Sequence, residues 1–199
     1  TYRLQLNSGF TFNHATTIVP YLARLGISHV YCSPYLRARP GSQHGYDIID
    51  HNAFNPEIGS AADFERFAAA LASHNLGQMI DVVPNHMGMF SRWVVEHPHW
   101  FVQLSYPPYP NYTFNGPNLS HDSRVGLYIE DGYWTHSDAA VVFKRVDHNT
   151  GDTRYIYHGN DGTSMPWNDT AQLNYLIAEV REAVIQTILH VARKFSIIR

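Results

Sequence analysis

Two kinds of hydrophobic spacing alternate along this chain. Three apolar runs have the length and alternation of strands: "TYRLQL" at 1–6, "ISHVYCSP" at 27–34 and "GQMIDVVPNH" at 77–86. A fourth, "FSIIR", occupies 195–199. The segments between them have helical spacing. "NHATTIVPYLARLG" at 13–26 places Ile18, Leu22 and Leu25 on one side, with Asn13 as the expected N-cap, Gly26 as a stop and Pro20 interrupting the interior. "SAADFERFAAALASHNLG" at 60–77 offers a Ser60–Asp63 capping box and an apolar face of Phe64, Phe67, Ala68 and Leu71. The last helix is expected around Val180, Val184, Ile188, Val191 and Phe195. Strand, helix and strand in repetition predict an α/β protein with a parallel sheet and crossover helices.

From residue 88 to about 170 the pattern becomes aromatic, proline-rich and hairpin-like. "VGLYIEDGYW" suggests a tight turn at Asp131–Gly132, and "AAVVFKRVDHNTGDTRYIYHG" suggests two strands about a polar turn. Such a stretch is too long and too patterned for a plain loop, so a small β-rich subdomain is expected there.

Composition narrows the partners. Of 199 residues, 44% are hydrophobic and 16% charged, and the net charge of -3 comes without a basic block, which argues against nucleic acid or an anionic membrane. No apolar run approaches the roughly 20 residues of a bilayer span. The single cysteine, Cys32, lies in an apolar run and is read as core. Thirteen histidines raise the question of a transition metal, yet no H-x-x-x-H or H-E-x-x-H spacing occurs. Thr1 and Arg199 both fall abruptly in strand-like sequence, and the expectation is a chain cut at both ends.

Candidate chemistry gathers at two places. In "QMIDVVPNHM", Asp81 is a charge inside a run that a parallel sheet buries, so it needs a partner, and Pro84 ends the strand so that Asn85 and His86 emerge at its carboxyl end. Ligand sites of α/β folds lie at such ends. The plainer alternative is that Asp81 caps a neighbouring loop and His86 is incidental. The loop "RPGSQHGYDIIDHNAFNPEIG" at 39–59 carries Ser42, His44, Tyr46, Asp47 and Asp50. An aromatic ring there suits the flat face of a sugar, although such loops are polar in any case.

"DVVPNH" at 81–86, "HGYD" at 44–47 and "YLARLGISHVYCSP" at 21–34 together resemble the α-amylase family, glycoside hydrolase family 13. Residues 1–90 are most similar to its maltooligosyl trehalose synthase branch, whereas "NDTAQLNY" and "EVREAVIQTILHVARKF" look more like other large bacterial members. The resemblance implies the first half of a (β/α)8 TIM barrel with a small β-rich domain inserted after strand 3. Residues 1–87 would be the first three β/α units, 88–170 the inserted domain, and 171–199 the next helix and strand. It also implies that His86 hydrogen-bonds the sugar beside the scissile bond and that Tyr46 stacks on it. His44 and Asp47 would serve substrate binding in the same loop, and Asp81 would brace the strand end against Arg199. Asn85 matches a position that binds calcium in many members; no cofactor is otherwise required.

No catalytic residue is expected within the chain, because the family's nucleophile follows two residues after the position of Arg199, with the acid and the second Asp later still. The implied activity is retaining cleavage or transfer of α-glucosidic bonds, with a trehalose-forming outcome favoured. The implied partners are an α-glucan or maltooligosaccharide and the remainder of the barrel, in the cytoplasm. Two rivals stand beside this reading: a non-catalytic glucan-binding module using the aromatics of "WVVEHPHWFVQLSYPPYPNYTF" at 93–114, and a gene fragment without function alone.

Overall fold

The computed structural model describes residues 1–135, 140–160 and 165–199. In chain order its elements are β1 (Tyr2–Leu4), α1 (Phe12–Arg24), β2 (His29–Cys32), β3 (Leu36–Ala38), β4 (Ile48–Phe54), α2 (Ala61–Ser73), β5 (Gly77–Ile80), β6 (His86–Gly88), α3 (Arg92–Glu96), β7 (Gln103–Leu104), β8 (Val125–Ile129), β9 (Val142–Asp147), β10 (Thr153–Tyr157), β11 (Thr170–Gln172), α4 (Ala178–Ala192) and β12 (Ile197–Ile198). The chain forms two compact units, Thr1–Val83 with Glu182–Arg199, and Pro84–Arg181.

The first unit is built on a parallel sheet in the order β1-β2-β5-β12. Leu4, Val30, Cys32 and Ile80 are buried on one face of it, in a core with Phe12, Val19, Leu22, Phe67, Leu71, Val191 and Phe195. Three helices, α1, α2 and α4, serve the three parallel pairings, because a parallel strand can rejoin its neighbour only through a crossover. Cys32 is fully buried, and burial pushes its thiol up to about 12, which makes it an inert core residue.

Helix α1 begins two residues before the expected cap. Thr11, not Asn13, is the N-cap, and its N–H donates to His14 Nδ1 at 3.1 Å. The reason is tertiary. Phe12 is the hub of an aromatic cluster, with the rings of Tyr35, Phe54, Phe64 and Phe67 at 5.0–6.3 Å, and the helix starts where this ring enters the core. Helix α2 starts at the expected Ser60: Asp63 N–H donates to Ser60 Oγ, and Asp63 Oδ2 accepts the Ser60 N–H at 2.7 Å.

In the second unit an antiparallel sheet runs β7-β10-β9-β8. The β9–β10 hairpin turns where Asp147 Oδ1 accepts the N–H groups of Asn149 and Thr150; Ala139, at the head of the run that suggested it, lies outside the described residues. Buried Arg145 on β9 donates to the carbonyls of Val94 and Val95, so it caps the C-terminal end of α3. The turn expected at Asp131–Gly132 is instead a 3₁₀ turn, Asp131–Thr135, in which the Glu130 carboxylate accepts the Gly132 N–H at 2.8 Å. A short antiparallel pair, β6 with β11, sets Gln172 opposite His86.

Candidate functional site

On the face of the parallel sheet opposite the core, Arg3, Tyr31, Asp81 and Arg199 come together, each from one of the four strands or from the residue just past it. Arg3 on β1 and Tyr31 on β2 are register partners, and Tyr31 pairs in turn with Met79 on β5. Alternation then directs Asp81, two residues beyond Met79, to the same side, and Arg199, two beyond the Ile197 that pairs with Met79, joins it. Asp81 lies just past the end of β5, with the Val82 N–H donating to the Arg199 carbonyl at 2.9 Å.

This arrangement answers the demand of a buried charge. Asp81 is 1% exposed, and both of its oxygens are engaged. Oδ2 accepts the phenolic protons of Tyr31 at 2.7 Å and Tyr46 at 2.5 Å, and Oδ1 accepts Arg199 Nη1 at 3.1 Å. The same Nη1 donates to Tyr31 Oη at 2.8 Å. Arg3 lies 4.6 Å from the centre of the Tyr31 ring and donates to Tyr46 Oη at 3.3 Å. Burial, and then the bond to Asp81, raise the Tyr46 hydroxyl well above the usual phenol range, while the bond to Asp81 raises the Arg199 guanidinium. A phenol has one proton. Tyr46 gives its proton to Asp81, and its oxygen accepts from Arg3.

The loop that carries Tyr46 is fastened from within. Asp47 is fully buried; its carboxylate accepts Ser42 Oγ at 2.5 Å and Arg39 Nε at 3.2 Å, and its carbonyl accepts the Arg39 N–H. Ser42 Oγ also accepts the Gly45 N–H. Gly45 has φ +78°, and a Cβ there would lie 3.0 Å from the Pro34 carbonyl oxygen, so only glycine fits this corner. Exposed His44 accepts the Tyr46 N–H through Nδ1 at 3.0 Å, and the two rings stack with centres 6.0 Å apart. Gln5 and Asn7 hold the loop from below through the Gln43 carbonyl.

Asn85 and His86 belong to the second unit. His86 is 5% exposed on β6; its ring lies 5.2 Å from that of Trp167, and Gly159 packs so closely that a Cβ there would sit 3.1 Å from the imidazole. Asn85 and Gln172 exchange side-chain amide hydrogen bonds at 3.2 Å in both directions, and Tyr175 Oη fixes the Pro84 carbonyl. Calcium prefers six to eight oxygens, several of them anionic. The Asn85 side chain forms a neutral amide pair with that of Gln172. Among the aromatics of 93–114, Trp93 meets Trp100 edge-on at 80° and Tyr112 meets Phe114 at 74°, while His97 stacks on Trp100 at 13°.

The structure therefore unites Tyr46, Asp81 and Arg199, sets His44 and Asp47 in the Tyr46 loop, and carries His86 and Asn85 on the other unit. Sequence reasoning missed Tyr31 and Arg3. Their signal was the parity of "TYRLQL" against "ISHVYCSP", which is readable only once the register is known.

Residues 12–140 match the family model described as the α-amylase catalytic domain. The chain belongs to the α-amylase family. Among members of this family, a putative maltooligosyl trehalose synthase of Mycobacterium tuberculosis is 43% identical over 94 residues, 45% of this chain and 12% of that protein. Of solved structures, maltooligosyltrehalose synthase from Arthrobacter ramosus matches with a TM-score of 0.58 at 24% identity, over 94% of this chain and 28% of the other. A trehalulose synthase crystallised with Tris matches with a TM-score of 0.65 at 21% identity, over 97% and 32%. At these identities the structural likenesses establish the fold, which is that of roughly the third of an α-amylase-family enzyme chain that they cover. The chain thus spans about an eighth of the curated relative and a third of the solved ones.

Proposed function

We propose that this chain forms part of the glucan-binding site of an α-amylase-family enzyme that cleaves or transfers α-glucosidic bonds with retention, in the trehalose-forming branch. In this reading β1, β2, β5 and β12 are the first four strands of a (β/α)8 barrel, and residues 88–170 are a small domain inserted after the third. What supports the half-barrel is the unbroken parallel order of four strands joined by helical crossovers.

The observation that carries the reading is Tyr46, poised at the carboxyl ends of the strands with its hydroxyl tied down by Asp81 and Arg3. A ring held in this way offers its face to the apolar side of a glucose unit. His44 and Asp47 shape its loop. Asp81 is assigned to bracing, because a carboxylate already accepting two phenols and a guanidinium is poorly available as a nucleophile. Retaining cleavage needs two carboxyl groups about 5–5.5 Å apart, and neither Asp81 nor Asp47 is assigned to that pair. No cofactor is invoked.

Calorimetric titration of the full chain with maltoheptaose tests this. Binding is expected, Tyr46→Ala should weaken it about ten-fold, and no reducing sugar or trehalose should be released. A folded chain that ignores maltoheptaose would sink the proposal, and turnover by the chain would move the chemistry onto residues present here.

A further inference from the structure

Tyr31 is the only one of the four strand-borne side chains that both gives and receives a hydrogen bond within the cluster: it donates to Asp81 Oδ2 and accepts from Arg199 Nη1. Arg199 also donates to Asp81 Oδ1, so the three side chains close a ring of hydrogen bonds. A carboxylate held by one cation through one oxygen still turns about its terminal torsion, which is broad. Held through both oxygens, it does not. Tyr31 is also the best anchored of the group. It lies on β2, which has paired strands on both sides, and the Arg3 and Arg199 guanidinium carbons lie 4.6 and 5.4 Å from its ring centre. Tyr46, by contrast, lies on a loop, and its hydroxyl lands on the same Oδ2 that Tyr31 orients.

We propose that Tyr31 is the positioning residue of this site: by bridging Arg199 and Asp81, its hydroxyl aims the carboxylate oxygen that holds the Tyr46 ring in place. The inference rests on the reading of Tyr46 as the sugar-stacking residue. Tyr31 itself touches no ligand in this scheme, and its effect on binding passes through Asp81 to Tyr46.

Tyr31→Phe removes the hydroxyl and keeps the ring under Arg3. The test uses the full chain labelled with carbon-13 at tyrosine Cζ, with two readouts: the Tyr46 resonance in the free chain and the affinity for maltoheptaose. The variant is expected to shift the Tyr46 resonance and to weaken maltoheptaose about ten-fold, whereas Tyr106→Phe, at an exposed position, should do neither. A Tyr46 resonance that stays in place overturns the proposal whatever the affinity does, and so does a shifted resonance with unchanged affinity in a chain that binds. If the resonance shifts and even the unmodified chain does not bind, the sugar reading fails while the positioning of Tyr46 by Tyr31 stands. Should Tyr31→Phe fail to fold, Arg199→Gln removes the other half of the bridge from an exposed position and must shift the same resonance; if it does not, the proposal falls.

Discussion

Single residues here are governed by what burial demands of a polar group. His158 shows this away from the site. Its Nδ1 contacts the Thr170 carbonyl at 3.0 Å, its Nε2 has no partner among the described residues, and Phe143 and Tyr133 flank the ring. Burial pushes its pKa down to about 4 from 6.5, so the folded protein keeps it neutral where the unfolded chain takes up a proton. Stability should therefore fall as pH drops from about 6.5 to about 4, by at most about 3 kcal/mol from this residue. Asp63 and Asp122, held at about 2 mainly by hydrogen bonds from Ser60 and Arg124, lose their contributions only below about pH 4, so the windows separate. Urea midpoints measured across pH 4–6.5 should show a flatter profile in His158→Gln than in the unmodified chain, and an unchanged slope would remove His158 as the cause. Asp81 was legible in the sequence because its apolar neighbours announce a buried charge. His158 and Tyr31 were not, since one needs the burial pattern of the second unit and the other needs the strand register.

Elements were legible where their signals are local. The Ser60–Asp63 box marks α2 because both halves lie within one turn, and the β9–β10 hairpin follows from alternation about a polar turn. Asn13 misled because the start of α1 is set by where Phe12 packs, and Asp131–Gly132 misled because a turn dipeptide reports a bend without saying which strand comes next. Pro20 is the instructive middle case. Helix α1 runs through it, Phe12–Arg24, with Pro20 on the exposed side. An interior proline lacks a donor and crowds the preceding turn, at a cost near 3 kcal/mol relative to alanine in an open helix. Pro20→Ala should accordingly raise stability by roughly 1–3 kcal/mol, seen as a higher thermal midpoint. A lower midpoint would mean that the ring contributes packing that outweighs its missing N–H.

At the scale of the whole chain, the parallel order of four strands was visible in the sequence from the recurrence of strand and helix, and the family from "DVVPNH" and "HGYD". The pairing of His86 with Gln172 was not, because 86 residues separate them. The sheet ends in β1 on one side and β12 on the other, each with a single partner among the described residues. Open edges of this kind template further pairing. Sedimentation of the full chain should therefore show concentration-dependent self-association, and Tyr2→Lys, which places a charge on the β1 edge, should reduce it; identical profiles would argue that the edges are protected.

The cluster around Asp81 has a consequence for how the sheet assembles. It draws one member from each strand, and the members meet only when all four strands stand in their native offset. A slip of one position in β1 would send Arg3 into the apolar layer and bring Tyr2 or Leu4 to the cluster, and a slip in any other strand would do the same to its own contributor. The ring of hydrogen bonds then works as a checksum on folding. A slip in β2 or β12 takes Tyr31 or Arg199 away from the buried carboxylate, and only the native alignment gives it both.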